Sequence, residues 1–206
     1  MKKPTVTFAG SAASPAQFPT DGLPEVAFLG RSNVGKSRLL NALVGVRGLA
    51  RVSARPGRTQ LVNFFRMDDA LYLVDLPGYG YSKLPESVRQ GFEALVTSCL
   101  GRDTVALCVF LVDARHEPTD GDETLRRWLD GARLPYVVAA TKADKLGRGE
   151  LARRRRELRA GLGQGALEVI ATSAEDGTGL PELLRAIRRA AEAHGDGRVA
   201  EVGREA

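Results

Sequence analysis

The chain has 206 residues, of which 43% are hydrophobic and 27% are charged. This composition is typical of a folded globular protein, and it excludes a disordered chain, a collagen-like rod and a coiled coil. The formal net charge of +5 suits an anionic partner such as nucleic acid, but a charge of this size alone identifies none.

Apolar residues are distributed in short runs. No run approaches the length of about 18 residues that a membrane-spanning helix needs, so we predict no membrane span. The first residues carry no apolar segment of the kind that directs secretion, and we therefore expect a cytoplasmic protein. Cys99 and Cys108 lie inside apolar segments, which predicts two reduced, buried thiols rather than a disulfide or a metal pair.

Short apolar runs alternate with longer amphipathic segments along the chain. The predicted strands cover residues 25–29, 61–67, 71–75, 105–113, 136–141 and 168–172. The predicted helices cover residues 36–44, 86–101, 121–132, 149–162 and 181–194. Alternation of this kind indicates βαβ units, so we predict a three-layer α/β fold in which helices cover both faces of a mostly parallel, six-stranded sheet.

One strand breaks the parallel arrangement. The turn signal Asp68-Asp69 separates the segments 61–67 and 71–75, which predicts an antiparallel hairpin within the sheet. We expect residues 1–24 to be an N-terminal extension, residues 25–194 to be one domain and residues 195–206 to be a flexible C-terminal tail.

The first motif follows the strand at 25–29, opens the helix at 36–44 and reads Gly30-Arg31-Ser32-Asn33-Val34-Gly35-Lys36-Ser37. It fits the pattern G-x-x-x-x-G-K-[ST] of phosphate-binding loops. The two glycines let backbone N–H groups approach phosphate oxygens, and the helix N-terminus adds partial positive charge. We predict that Lys36 reaches the β- and γ-phosphates and that Ser37 ligates Mg²⁺.

The second motif, D-x-x-G, runs from Asp75 to Gly78 after the apolar strand at 71–75. A carboxylate at the carboxyl end of such a strand points into the crevice where ligands bind in α/β sheets. We predict that Asp75 holds Mg²⁺ through water and that the Gly78 N–H contacts a γ-phosphate.

The third motif, T-K-x-D from Thr141 to Asp144, indicates which base is bound. The Asp144 carboxylate can accept hydrogen bonds from guanine N1–H and its N2 amine, whereas adenine lacks both donors. The aliphatic stem of Lys142 can lie over the base. After the last strand come Ser173 and Ala174, and the Ala174 N–H is placed to bind guanine O6.

In this order, the motifs resemble those of the translation-factor-related P-loop GTPases and, within them, the Era/TrmE group. A closer resemblance is to the EngB (YsxC/YihA) family of bacterial ribosome-biogenesis GTPases. The residues that carry it are F-L-G-R-S-N-V-G-K-S at 28–37, R-P-G-R-T-Q at 55–60 and D-L-P-G-Y-G-Y at 75–81. The resemblance covers roughly residues 5 to 194 and includes no RNA-binding module of the kind that Era carries.

The resemblance implies a P-loop GTPase fold, GTP and GDP as ligands, and hydrolysis of GTP with Mg²⁺. It also implies a role in large ribosomal subunit assembly, with ribosomal RNA or a ribosomal protein as partner, and a link to normal cell division and septation. No DNA partner is predicted. Three alternatives stay open at this point: a GTP-dependent binding module with negligible hydrolysis, another Era-like GTPase acting on RNA, and an ATP-using P-loop kinase or ATPase.

The resemblance places Thr59 in the first switch loop. Its hydroxyl would complete the coordination of Mg²⁺, beside Ser37 and Asp75, and its N–H would contact the γ-phosphate. Gly57 and Arg58 precede it and give the flexible, basic setting of a loop that orders around a nucleotide.

The catalytic residues are predicted less directly. Many GTPases place a Gln just after D-x-x-G to orient water, but this chain has Tyr79 there, which predicts slow intrinsic hydrolysis. In related GTPases, an Asn at the position of Asn33 helps to bind potassium, so K⁺ stimulation is one hypothesis. Charge stabilisation by Arg31, Arg55 or Arg58 is the alternative. The predicted catalytic set is Lys36, Thr59, Gly78 and Asn33.

Two segments are candidate partner surfaces. The run Arg153–Arg156, with Arg148 and Arg159, is either a phosphate-binding surface or a solvated face balanced by Glu150 and Glu157. The side chains of Tyr79, Tyr81 and Lys83, beside the second switch, either contact a partner or pack internally.

Overall fold

The structure is a computed structural model that describes residues 3–46, 48–50, 61–78 and 86–202. Its strands are Val6–Ala12 (β1), Glu25–Gly30 (β2), Val62–Met67 (β3), Leu71–Asp75 (β4), Val105–Asp113 (β5), Tyr136–Thr141 (β6) and Val169–Ala171 (β7). Its α-helices are Lys36–Val44 (α1), Glu86–Leu100 (α2), Asp120–Gly131 (α3), Arg148–Gly161 (α4) and Leu180–Val202 (α5).

The strands form one sheet in the order β1-β3-β4-β2-β5-β6-β7. Strand β2 is parallel to both β4 and β5, and β6 is parallel to both β5 and β7. Strand β3 is antiparallel to each of its neighbours, β1 and β4. The predicted α/β class with one antiparallel strand is therefore confirmed, although the sheet has seven strands rather than six.

The additional strand is β1, which lies within the segment expected to be a loosely held extension. It pairs with β3 from Val6↔Met67 to Ala12↔Val62. Phe8 packs its ring 5.7 Å from that of Phe65. The sequence pattern does not predict β1, because it is an edge strand whose side chains are mostly exposed. At the other end, α5 continues to Val202, beyond the helix limit predicted at 194. The domain limits themselves stay a prediction.

Helices cover both faces of the sheet. Leu95, Leu129 and Leu158, from α2, α3 and α4, belong to one buried cluster, and Leu40 and Ile187, from α1 and α5, belong to the other. Every residue of β2, β4 and β6 is buried, as expected for strands covered on both sides. This three-layer arrangement places the carboxyl ends of the parallel strands at the same end of the sheet, which we call its carboxyl edge.

The apolar segments of the chain form the interior. Cys99 and Cys108 are buried free thiols, as predicted. Burial raises the pKa of Cys99 to about 12, so its thiol is protonated at neutral pH. None of the helices in the described part of the chain combines the length and the apolar character needed to cross a membrane.

At the opposite end of the strands, a buried carboxylate is paired with a partly exposed arginine. Glu25 begins β2 and is 1% exposed. Its carboxylate lies 2.9 Å from Nη2 of Arg102, which also donates to the carbonyl oxygen of Pro19 at 2.6 Å. The same guanidinium lies 5.3 Å from the ring centre of Phe18. Burial raises the pKa of Glu25, and Arg102 only partly opposes this shift.

We expect Arg102→Met to destabilise the fold, because it leaves a buried carboxylate without its cation. The free energy of unfolding should fall by about 2–3 kcal/mol at pH 7, less than the full cost of breaking a buried pair because Arg102 is partly exposed. The deficit relative to the parent should shrink as the pH falls, because Glu25, with its raised pKa, takes up a proton in the folded state.

Urea unfolding at pH 7 and pH 5 measures this effect. The matched control is the double variant Glu25→Gln, Arg102→Met, which should recover much of the lost stability because no buried charge remains. A single variant as stable as the parent at pH 7 would contradict the assigned role of the pair.

Candidate nucleotide-binding site

The loop between β2 and α1 contains two residues with a left-handed backbone, and it begins at a glycine that is packed closely against β5. Gly35, which immediately precedes α1, has φ 105°, and Asn33 has φ 65°, both in the region that favours glycine. A Cβ on Gly30 would lie 2.9 Å from the carbonyl oxygen of Leu111. A side chain is therefore excluded at Gly30, where β2 ends against β5 and the chain turns into the loop.

The D-x-x-G segment packs directly on this loop. A Cβ on Gly78 would lie 3.0 Å from the backbone nitrogen of Ser32 and 3.2 Å from the carbonyl oxygen of Gly30. Both neighbours are backbone atoms, which cannot move aside as a flexible side chain can. Glycine at this position lets the second motif approach the first.

A lysine and an aspartate join the same two motifs electrostatically. The ammonium of Lys36, the first residue of α1, contacts the carboxylate of Asp75, the last residue of β4. Both side chains are largely buried. A cation at a helix N-terminus and a carboxylate at a strand end therefore converge at the carboxyl edge of the sheet, the edge where ligands bind in such folds.

The third motif is tied to the loop by two side chains. Thr141 Oγ1, at the end of β6, donates to the carbonyl oxygen of Val34 at 2.8 Å. Lys142 has φ 61°, and its ammonium donates to the carbonyl oxygen of Asn33 at 3.1 Å. These contacts bring the stem of Lys142 alongside the phosphate-binding loop.

Asp113 and Arg115 belong to the same network, although no motif identified them. The Lys142 ammonium donates to Asp113 Oδ2 at 2.8 Å, and Arg115 donates to both carboxylate oxygens, at 2.9 and 2.8 Å. Burial acts to raise the pKa of Asp113, but hydrogen bonds from Arg115 and Lys142 outweigh it and hold the pKa well below its usual range. Asp113 ends a buried strand, as Asp75 does, and that shared position is the signal that could have found it.

Two residues predicted to recognise the base are in contact: Asp144, which follows β6, and Ser173, which follows β7. Asp144 Oδ1 accepts a hydrogen bond from Ser173 Oγ at 2.8 Å, and Oδ2 lies 2.9 Å from the ammonium of Lys145. Hydrogen bonds from Lys145 and Ser173 lower the pKa of Asp144. Ser173 also accepts from the N–H of Glu175 at 3.1 Å, which orders the turn that contains Ala174.

A cavity of about 210 Å³ opens between the phosphate-binding loop and the segment after β5. Its walls are Arg31, Ser32, Asn33, Val34, Val112, Asp113, Arg115, His116, Glu117, Pro118, Asp122 and Lys142. The first and third motifs thus border one crevice at the carboxyl edge of the sheet.

Several residues predicted from the sequence lie outside the described part of the chain. They are Arg55, Gly57, Arg58, Thr59, Tyr79, Tyr81 and Lys83. Ser37 is described, as the second residue of α1, where it follows Lys36 directly.

The motifs agree with the similarity of the chain to known sequences. Residues 25–142 match the protein family described as 50S ribosome-binding GTPase. The probable GTP-binding protein EngB of Syntrophus aciditrophicus is 45% identical over 92% of this chain and 97% of its own length. Its counterpart from Pelotomaculum thermopropionicum is 46% identical over 92% of this chain and 96% of its own length.

Solved structures show the same fold. A crystal structure of a probable GTP-binding protein EngB superposes with a TM-score of 0.66 and 24% identity, covering 82% of this chain and 99% of that one. A variant of Era from Aquifex aeolicus, bound to GDP and AlF₄⁻, gives a TM-score of 0.66 and 25% identity over 80% of this chain and 56% of that one. The resemblance and the P-loop fold predicted from the motifs are thereby confirmed, and the chain belongs to the EngB family of GTP-binding proteins and is a GTPase.

Proposed function

We propose that this GTPase acts as a nucleotide-dependent switch in the assembly of the large ribosomal subunit. The observation that carries the proposal is the convergence of Lys36 and Asp75, the signature residues of two motifs 39 positions apart, on one edge of the sheet. The match to a family described as 50S ribosome-binding GTPase supports the ribosomal partner.

The residues proposed to bind GTP surround this edge. They are Gly30, Arg31, Ser32, Asn33, Val34, Gly35, Lys36, Ser37, Gly57, Arg58, Thr59, Asp75, Gly78, Thr141, Lys142, Asp144, Ser173 and Ala174. The backbone N–H groups of the loop and the N-terminus of α1 would hold the phosphates, because the first N–H groups of a helix lack partners within it and carry a partial positive charge. Lys36 would add a full charge at the β- and γ-phosphates.

Magnesium fits the donors available near Lys36. Ser37 offers a hydroxyl and Asp75 a carboxylate that is 5% exposed, and Mg²⁺ prefers such oxygen ligands together with phosphate and water. Thr59 is proposed as the third protein ligand. When bound, Mg²⁺ supplies neutralisation of the phosphate charge.

Guanine selectivity is proposed to depend on Asp144. Its lowered pKa keeps the carboxylate ionised, so that it accepts hydrogen bonds from guanine N1–H and the N2 amine. The Ala174 N–H would donate to O6. The stem of Lys142, held between Asn33 and Asp113, would cover one face of the base.

Hydrolysis transfers the γ-phosphoryl group of GTP to water and releases GDP and phosphate. Lys36, Thr59 and the Gly78 N–H would stabilise charge on the transferred group. Because Tyr79 occupies the position where many GTPases have Gln, we propose slow intrinsic hydrolysis that a partner, or K⁺ bound with the help of Asn33, accelerates.

The cellular setting follows from the proposed partner. Precursors of the large ribosomal subunit are found in the cytoplasm, where we place this protein. A shortage of large subunits would in turn disturb growth and the timing of division, which is the link that we propose to cell division and septation.

Single-turnover hydrolysis of GTP tests the switch. We expect large-subunit particles to raise the rate at least 10-fold, and K⁺ to raise it relative to Na⁺ at the same ionic strength. Lys36→Ala, which removes the proposed phosphate contact, serves as the inactive control. Equal rates with and without particles would contradict a switch at the ribosome, and equal rates in K⁺ and Na⁺ would remove the potassium hypothesis.

Asp144→Asn should change the base that is recognised, because an amide presents a donor where the carboxylate offers only acceptors. We expect the affinity for GDP to fall about 100-fold and measurable binding of xanthosine diphosphate to appear. Calorimetric titration with GDP, xanthosine diphosphate and ADP makes the comparison. Tight binding of ADP by the parent protein would overturn the role assigned to Asp144.

Asp113→Ala should weaken GDP binding about 10-fold, or roughly 1.4 kcal/mol, because Lys142 loses the carboxylate that holds its ammonium. Arg115→Ala is the matched control. It removes an exposed partner of the same carboxylate but leaves Lys142 in contact with Asp113, so its effect should stay within about 3-fold. Equal affinities of the Asp113 variant and the parent would show that Lys142 needs no such anchor.

A further inference from the structure

Helix α4 carries six arginines in 14 residues, and the structure places five of them in two groups. Arg154 is buried, and its guanidinium lies 2.8 Å from Glu157 Oε2. Arg153 lies 3.1 Å from the other oxygen of the same carboxylate. These two residues therefore share one carboxylate within the helix, which balances one of their two positive charges.

The second group lines the opposite flank of α4. Arg148, Arg155 and Arg159 are exposed, and their spacing of seven and four residues places them within about 40° of one another around the helix. We call these three residues the α4 arginine stripe. At a rise of about 1.5 Å per residue the stripe is roughly 16 Å long. Arg156 is exposed beside it.

The stripe lies beside β7, which is the outermost strand on one side of the sheet. Arg155 Nη2 lies 3.4 Å from the carbonyl oxygen of Val169, at the first position of β7. The adjacent Glu168 carbonyl accepts from Val138 in β6, so the alternation along a strand turns the Val169 carbonyl outward. The stripe therefore follows an open edge of the molecule rather than a cleft.

No carboxylate among the described residues forms an ion pair with any member of the stripe. Several arginines elsewhere are paired: Arg66 with Asp69, Arg102 with Glu25, Arg126 with Asp130, Arg188 with Asp68 and Arg189 with Glu168. Within the described part of the chain, the exposed Arg127, Arg133 and Arg185 resemble the stripe in forming no ion pair. Like charges four residues apart, as in Arg155 and Arg159, destabilise a helix. The stripe thus carries positive charge that no described carboxylate pairs with, and repulsion between its members lowers the stability of α4.

We propose that the α4 arginine stripe binds the phosphate backbone of a ribosomal RNA segment, an inference that rests on the proposed function for its choice of RNA. Guanidinium groups bind phosphate through paired hydrogen bonds. The exposed residues between the arginines include the small Ala152, which lets a backbone approach closely. A protein interface would instead need an apolar centre, and α4 itself exposes no large apolar side chain; the exposed Leu167, before β7, is a single residue and not an apolar patch.

The stripe contains none of the residues proposed to bind GTP. It begins at Arg148, four positions after Asp144, and runs along α4 away from that loop. Substitutions in the stripe are therefore expected to leave the affinity for GDP unchanged, and this provides a check that a variant is folded.

The test compares two triple variants by fluorescence anisotropy with an RNA hairpin of arbitrary sequence, over 50–200 mM KCl. The stripe variant is Arg148→Gln, Arg155→Gln, Arg159→Gln, and glutamine preserves helix propensity. The control variant, Arg127→Gln, Arg133→Gln, Arg185→Gln, removes the same charge from exposed positions elsewhere. We expect the stripe variant alone to bind at least 10-fold more weakly at low salt and to lose about 2 to 3 from the slope of log affinity against log salt.

Equal loss in both variants, or no loss in the stripe variant, would overturn the proposal. Tighter binding of the parent to polyglutamate than to the hairpin would favour an acidic protein instead and would also overturn it. Co-sedimentation with large-subunit particles separates the two proposals. A parent that binds the hairpin through the stripe but does not sediment with the particles contradicts the ribosomal role alone, whereas a stripe variant that sediments as fully as the parent contradicts the stripe.

Discussion

The site depends on the close approach of three backbone segments that leave no room for a side chain. Gly30 ends β2 against the Leu111 carbonyl of β5, and Gly78 lies against Ser32 in the loop. These backbone contacts set the distance between the first two motifs independently of any charged group. Because the interior is close-packed and the neighbouring atoms are backbone, an added methyl group would displace a whole segment.

Two lysines of the motifs are each held by an aspartate at the end of a parallel strand. Lys36 contacts Asp75 at the end of β4, and Lys142 contacts Asp113 at the end of β5. A partly buried ammonium or carboxylate without a partner is costly, so each pair stabilises the position of the group that it contains. The parallel sheet supplies this arrangement because its strand ends lie along one edge.

Much of this arrangement could be predicted because each strand and helix carries its own local pattern. The ends of β4, β5, β6 and α1 agree with the predicted limits. Strand β1 is not predictable in this way because an exposed edge strand lacks a continuous apolar pattern. The extension of α5 is not predictable because Gly195 and Gly197 are poor helix formers.

The contacts between segments were not predictable in the same way. No sequence pattern near Asp113 or Lys142 predicts the ion pair between them. A run of four arginines likewise does not reveal which of its members face the core. That distinction depends on how α4 packs, and the structure makes it through the burial of Arg154 and Leu158. The motifs alone thus predict which residues form the candidate site, whereas the contacts of those residues are seen only in the fold.

The first and last residues of strand β2 have different roles. Glu25 ties its start to Arg102 and to the segment that contains Pro19, while Gly30 ends it at the phosphate-binding loop. At about 3.3 Å per residue, these ends are roughly 17 Å apart. For a geneticist, heat-sensitive alleles and nucleotide-defective alleles should therefore map to opposite ends of one short strand, and an allele at Glu25 would lower the amount of protein in the cell without changing the chemistry of each molecule.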